Sequence, residues 1–245
     1  MKNKDMIKCI RIIAVAIIAL LLAVGIIFFS VRDKNGGIKQ IPVTVSQNRE
    51  NELVFDFSID DCIECFNGCY YSRRHENYIK PLTAENWHTE TLEKAIHSPH
   101  ETIIYDYSAD RTVWSLPTIS VYVPANRDCV QEITLNFDWH SYSEKLLDLY
   151  NEMCFCTLKM FFYDLSDEKI TEVYSEANRL GEENTFSSEY RYSDESVPSA
   201  LFYKDGIGVY SYSAEGSYQR LCIIPVTEDT LKVFEEKGTE IFEIE

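Results

Sequence analysis

Apolar positions along the chain follow three different rhythms. From Ile12 to Val31 they run without interruption, IIAVAIIALLLAVGIIFFSV, and no residue in the run is charged. As a helix this stretch is about 30 Å long, enough to cross a hydrocarbon core. It is apolar on every face, so it reads as a transmembrane anchor and not as the amphipathic helix of a soluble domain. Farther along, apolar residues recur at helical spacing. Cys62, Cys65, Phe66 and Cys69 fall on one face behind Ser58, and Ile170, Val173, Tyr174 and Ala177 do the same behind Ser166. Each serine is an expected N-cap, with acids in the first turn: Asp60 and Asp61, then Asp167 and Glu168. Gly181 is the expected stop of the second helix. Between them, Ser141-x-x-Glu144 resembles a capping box that opens a helix carrying Leu146, Tyr150, Met153, Thr157 and Phe161 inward. A shorter last helix is expected from Thr227, with Leu231 and Phe234 inward and Gly238 as stop.

The third rhythm is alternation. Ile119–Tyr122 and Gln131–Leu135 alternate around the turn residues 124–128, and Ile207–Tyr210 and Gln219–Ile223 around 213–217. Thr102–Tyr107 and Ala200–Tyr203 are expected as a third strand before each pair, the latter followed by the turn signal Lys204-Asp-Gly206. These segments repeat. Ile119-Ser-Val-Tyr matches Ile207-Gly-Val-Tyr, and Gln131-Glu-Ile-Thr-Leu matches Gln219-Arg-Leu-Cys-Ile, both at an offset of 88 residues. The helix caps match at an offset of 108, which lays Cys62, Cys65, Phe66 and Cys69 over Ile170, Val173, Tyr174 and Ala177. The expected fold is therefore α+β: two tandem helix-plus-antiparallel-sheet halves, about 51–140 and 141–245, behind an N-terminal transmembrane helix. In its order of elements this plan is similar to the tandem helix-and-sheet layout of β-lactamase inhibitory proteins, without a residue-level match to them.

Charge adds a topology. Lys2, Lys4, Lys8 and Arg11 precede the apolar run with Asp5 as the one opposing charge, which favours residues 1–11 in the cytoplasm, 12–31 in the membrane, 32–50 as a juxtamembrane linker and 51–245 outside. Ala23-Val-Gly25 has the form of a signal-peptidase site, but Ile26, Ile27, Phe28 and Phe29 continue the run, so an uncleaved signal anchor is expected. The chain holds 23 basic and 40 acidic residues; six basic and two acidic lie in 1–37, leaving 17 and 38 in the remainder, a formal charge of −21. Such a domain is repelled by nucleic-acid phosphates, and no nucleic-acid partner is expected.

Candidate chemistries meet plainer readings. Cys62-x-x-Cys65-x-x-x-Cys69 offers three thiolates, but the residues sit inside a helical stripe and no second C-x-x-C accompanies them, so core packing is expected over zinc. Beyond Cys9 the cysteines number seven, which cannot all pair within one chain. Cys62 lies about a turn past its cap, too deep for a redox thiol. Nucleophile elbow, H-E-x-x-H and phosphate-loop patterns are absent from the sequence, and neither metal nor cofactor is expected. Tyr210, Tyr212 and Tyr218 mark an expected binding face on the second hairpin, since tyrosine is favoured at recognition surfaces. The functional expectation is an anchored, acidic, extracytoplasmic recognition module that engages a protein partner. The rival is an envelope hydrolase using His88, His97 and His100 in the 72–101 insertion. A small-ligand sensor is the third reading.

Overall fold

The structure, a computed structural model, describes residues 43–47, 52–72, 88–92, 101–108, 116–125, 128–183, 185–186, 197–214 and 218–245. The chain divides into two units, Met1–Ile38 and Lys39–Glu245, and every described residue belongs to the second. The expected membrane helix, Ile12–Val31, lies outside the described residues; among those described, no helix is long and apolar enough to cross a membrane.

The described residues form an α+β domain. In chain order the elements are β1 (Val45–Gln47), β2 (Leu53–Phe55), α1 (Ile59–Ser72), β3 (His88–Leu92), β4 (Thr102–Ser108), β5 (Thr118–Pro124), β6 (Glu132–Asp138), α2 (Glu144–Phe161), α3 (Asp167–Glu183), β7 (Thr185–Phe186), β8 (Ala200–Lys204), β9 (Ile207–Ala214), β10 (Tyr218–Pro225), α4 (Glu228–Glu236) and β11 (Glu240–Glu243). A short 3-10 turn, Trp139–Ser141, precedes α2. β1 and β2 form a separate antiparallel pair, and β1 falls inside the stretch expected as linker. The other strands form one sheet in the order β11-β8-β9-β10-β6-β5-β4-β3, with β7 added beside β9. All pairings in it are antiparallel except β11 with β8 and β7 with β9.

The helices start where their polar residues can absorb the free amides of the first turn. The Ser58 hydroxyl accepts from the Asp61 amide at 3.1 Å, and the Asp61 carboxylate accepts from the Ser58 amide and hydroxyl, a reciprocal capping box. Ser166 caps α3 through the Lys169 amide, and Thr227 caps α4 through the Thr230 amide. The expected stripes are the buried faces: Cys62, Cys65, Phe66 and Cys69 on α1, and Ile170, Val173, Tyr174 and Ala177 on α3. Two local expectations are corrected. The cap of α2 is Ser143, not Ser141, because Asp138 first winds the chain into the 3-10 turn by accepting from the His140 amide. Gly181 does not end α3, which runs on to Glu183. An added Cβ there would stand 2.7 Å from the Ser211 carbonyl carbon, so this glycine lets α3 lie directly on the β9 backbone. The β8–β9 link is the expected tight turn, with Asp205 at φ 49° and Gly206 at φ 85°, the conformation of a two-residue hairpin.

The tandem halves leave a visible trace in the sheet. β4-β5-β6 and β8-β9-β10 are each antiparallel meanders, and their last strands pair with each other. Thr134 stands opposite Cys222, Leu135 opposite Leu221, and Ile133 opposite Ile223. At the 88-residue offset Thr134 is the counterpart of Cys222 and Leu135 that of Ile223, so this register is what a local two-fold axis through the Thr134–Cys222 pair produces. One detail of the repeat is shifted. Ile119 pairs with Leu135, whereas Val209, not Ile207, pairs with Ile223. The first strand of each hairpin is therefore displaced by two residues relative to the sequence match, and a displacement of two preserves which side chains face which way. The helices break the symmetry. α1 packs on α2, α2 on α3 and β6, and α3 on β8, β9 and β10. α4 instead sends Leu231 and Phe234 to the opposite face, against Leu201, Tyr210, Cys222, Ile224 and Val226.

Candidate functional site

Strand alternation assigns the two sheet faces. Ser211 meets α3 through Gly181, and the Gln219 amide donates to the Asn178 carbonyl of α3, so the helix-bearing face carries Ser211, Gln219 and their alternates. On the other face the register lines up cross-strand rows. One row is Asp106–Ser120–Thr134–Cys222–Tyr210. On one side of it lies Thr118–Asn136–Arg220–Tyr212, and on the other Ile104–Tyr122–Glu132. α4 covers one end of this face, and the rows form a polar cluster beside it.

The cluster is tightly wired at its half-buried end. Arg220 Nε donates to Asn136 Oδ1 at 2.6 Å, and a terminal nitrogen donates to the Tyr212 hydroxyl at 3.0 Å. Asn136 in turn donates to the hydroxyls of Thr118 and Ser120. The guanidinium carbon lies 5.7 Å from the Tyr212 ring centre and 6.0 Å from that of Tyr218, so the cation sits against two aromatic faces. Burial works against the Arg220 charge, but the negative charges that Tyr212, Tyr122, Cys222 and Glu132 carry once ionised outweigh that loss, so its pKa lies above the ordinary value. Toward the buried end stand Tyr210, Cys222 and Glu132, with Tyr210 opposite Cys222 in register. Glu132 is a carboxylate only 4% exposed, and it forms no ion pair with Arg220. Thr134 Oγ1, on the row between the two charges, is buried and has no hydrogen-bond partner.

Burial first, and then Glu132, pushes the Cys222 thiol well above its usual range; burial, and then Glu132, does the same to Tyr122. Tyr210 and Tyr212 are raised by burial first and Cys222 second. These groups stay protonated at neutral pH. The Cys222 thiol is thus a protonated member of the cluster and not an activated nucleophile. The arrangement sets a guanidinium, a carboxylate, hydroxyls and aromatic rings side by side on one sheet face.

The tyrosines expected as a binding face do come together, though not as an exposed patch. Tyr210 and Tyr212 stack at 6.4 Å and are buried, and half-buried Tyr218 lies with Tyr212 against Arg220. His88 is on edge strand β3, opposite Asp106 in register; His97 and His100 lie outside the described residues. Among the described residues no group of His, Cys, Asp or Glu is placed to hold a metal ion. Cys62, Cys65, Cys69, Cys129, Cys154, Cys156 and Cys222 are all buried free thiols. Glu132 and Arg220 were not picked out by their residue types. A signal for them existed: the match of Gln131-Glu-Ile-Thr-Leu to Gln219-Arg-Leu-Cys-Ile superposes an acid on a base within an otherwise conservative pattern. No family model matches the chain, and no curated protein or solved structure matches it.

Proposed function

We propose that this chain is a membrane-anchored recognition module, held by Ile12–Val31 with its acidic domain outside the cytoplasm, and that the sheet face around Arg220 is where it engages its partner. The observation that carries the reading is the Arg220 guanidinium, positioned by Asn136 and Tyr212 and lying against two tyrosine rings, yet with three of its five N–H groups unused by the protein. A cation fixed this rigidly loses little entropy when it meets an anionic group, which favours binding. In a domain of formal charge −21 it is also a local exception that selects against wrongly charged partners.

Crosslinking of intact cells that carry a C-terminal tag after Glu245, followed by purification and mass spectrometry, tests the reading. A stoichiometric partner, lost in Arg220→Gln and retained with His88→Ala, is the expected result. The same capture from wild type and Arg220→Gln, or no partner at all, would overturn it. Resistance of the chain to alkaline extraction, together with digestion of the tag by protease added outside the cell, tests the anchor and its orientation.

A further inference from the structure

The sheet ends at β11, and among the described residues no strand pairs with its outer edge. The parallel pairing with β8 decides which groups that edge offers. The Glu240 amide donates to the Ser199 carbonyl at 2.7 Å, and the Ile244 amide to the Tyr203 carbonyl at 2.8 Å. Even-numbered residues thus turn their backbone groups to β8, and Ile241 and Glu243 turn their N–H and C=O outward. The strand is fixed in place. Ile241 packs, like Leu231 and Phe234 of α4, against Leu201, Tyr210 and Ile224. The Phe242 ring stacks on Phe202 at 5.0 Å, and the Thr239 hydroxyl donates to the Pro198 carbonyl. The side chains follow an acid–apolar–apolar–acid order, Glu240-Ile-Phe-Glu243, with both glutamates exposed and both apolar residues half-buried. Among the described residues neither carboxylate forms an ion pair or a hydrogen bond.

We infer that the outer edge of β11 takes up an extended segment of a partner protein as one more strand, and that this segment carries the complementary order base–apolar–apolar–base. The surface is distinct from the Arg220 face, since β8 and β9 lie between β11 and β10. Ile241 and Glu243 supply two backbone donors and two acceptors at strand spacing, which gives affinity without regard to sequence. Side chains choose the partner. Alternation puts Glu240 and Phe242 on one face and Ile241 and Glu243 on the other, so each face of an added strand meets one acid and one apolar residue. A lysine or arginine beside each glutamate, with apolar residues beside Ile241 and Phe242, satisfies both faces. The order reads the same from either end, so it fits a parallel or an antiparallel strand alike. Charge also excludes a second copy of the chain. Residues 228–245, which carry α4 and β11, hold seven acidic residues against two basic, and Lys232 is already paired with Asp229. Two copies would bring the same negative excess to the same edge, and like charges across paired strands are destabilising. Acids on an edge strand guard against self-pairing, and this guard discriminates by sign: it turns away copies of the chain and admits a cationic strand.

Fluorescence anisotropy on the full-length, detergent-solubilised protein tests this with a peptide of sequence TKVFKT, amidated and carrying a neutral fluorophore. Saturable binding is expected. It weakens by about tenfold when both glutamates are reversed in Glu240→Lys with Glu243→Lys, a variant that changes exposed side chains only. The same variant is expected to acquire binding of the acidic counterpart TEVFET, which wild type rejects, a gain that misfolding would not produce. Of two TKVFKT peptides N-methylated at alternate residues, the one whose methyl groups face β11 loses binding and the other keeps it. Arg220→Gln binds TKVFKT as wild type does, so the two surfaces stand or fall separately. Absence of saturable binding, equal binding of TEVFET by wild type, indifference to both methylation patterns, or loss of the peptide in Arg220→Gln would each overturn the inference. So would a wild-type dimer in sedimentation that Ile241→Pro, which removes an outward N–H, dissolves, since a second copy would then occupy the edge.

Discussion

Replacing Gly181 by alanine sets two effects of opposite sign against each other, and the geometry decides between them. In an exposed helix interior the change stabilises by about 1 kcal/mol, since alanine costs less backbone entropy. Here the added Cβ would meet the Ser211 carbonyl carbon at 2.7 Å, its oxygen at 2.8 Å and its Cβ at 2.8 Å. Two of those three atoms are backbone of a central strand and cannot rotate away, so α3 must lift off β9. Overpacking of this kind costs about 1–3 kcal/mol, and contact with a rigid strand places it at the upper end. The lift also stretches the Gln219 donations to the Asn178 carbonyl and side chain. Net destabilisation of about 2 kcal/mol follows once the propensity gain is subtracted. For a domain of this size that lowers the melting temperature by about 4–8 °C. Thermal and urea unfolding of wild type and Gly181→Ala, side by side, read this directly. A variant as stable as wild type, or more so, would show that α3 does not rest on β9 through this residue.

Two further outcomes bear on the thiols. Cys62 and Cys65 are expected to react with a thiol reagent only after denaturation, with neither reductant nor chelator required; release by chelator alone would reveal a metal, and a need for reductant would reveal a disulfide. Stability is also expected to fall on the alkaline side. Burial raises the folded-state pKa of Cys62, Cys154 and Cys222 above the ordinary 9.0. Their stabilisation is therefore complete below that value and is lost as pH climbs toward the folded-state values, where the unfolded chain has shed protons that the folded chain keeps. The slope approaches about 1.4 kcal/mol per pH unit for each such thiol. A urea midpoint that stays level from neutral pH to well above the thiol range would contradict the burial of these groups.

Much of the scaffold was legible because its signals are local. A serine followed by acids and a stripe at helical spacing needs nothing from the rest of the chain, and the starts of α1, α3 and α4 fall where those patterns place them. The stripe of cysteines on α1 was readable as core because the second half fills the same positions with Ile, Val, Tyr and Ala. Errors arose where a long-range contact decides the role of a residue. Gly181 carries the local mark of a helix stop, but its work is a close approach to a strand thirty residues farther along the chain. Ser141 matched a capping box, while Asp138 had already claimed the preceding turn. The second apolar side of α2, including Phe155, Cys156 and Met160, is buried because that helix meets α1, α3 and β6 together, which one stripe of periodicity cannot express.

The candidate site was hidden for a different reason. Alternation separates the two faces of a strand but does not say which polar face will be covered, and Glu132, Thr134 and Asn136 are buried. Their meaning comes from the axis. Equivalent positions beside a two-fold are held at a fixed separation, and in a buried place two identical charges there would repel with little water to screen them. Two carboxylates would drive one of the pair to take up a proton, and two guanidiniums would hold an uncompensated charge in the sheet. An acid in one half and a base in the other removes that penalty without joining them in an ion pair. The departure from symmetry at Glu132 and Arg220 is therefore what lets both positions beside the axis be charged, and Arg220→Glu, which would set two acids there, is expected to lower the urea midpoint more than Arg220→Gln does; equal midpoints for the two variants would show that like charges at these positions do not repel.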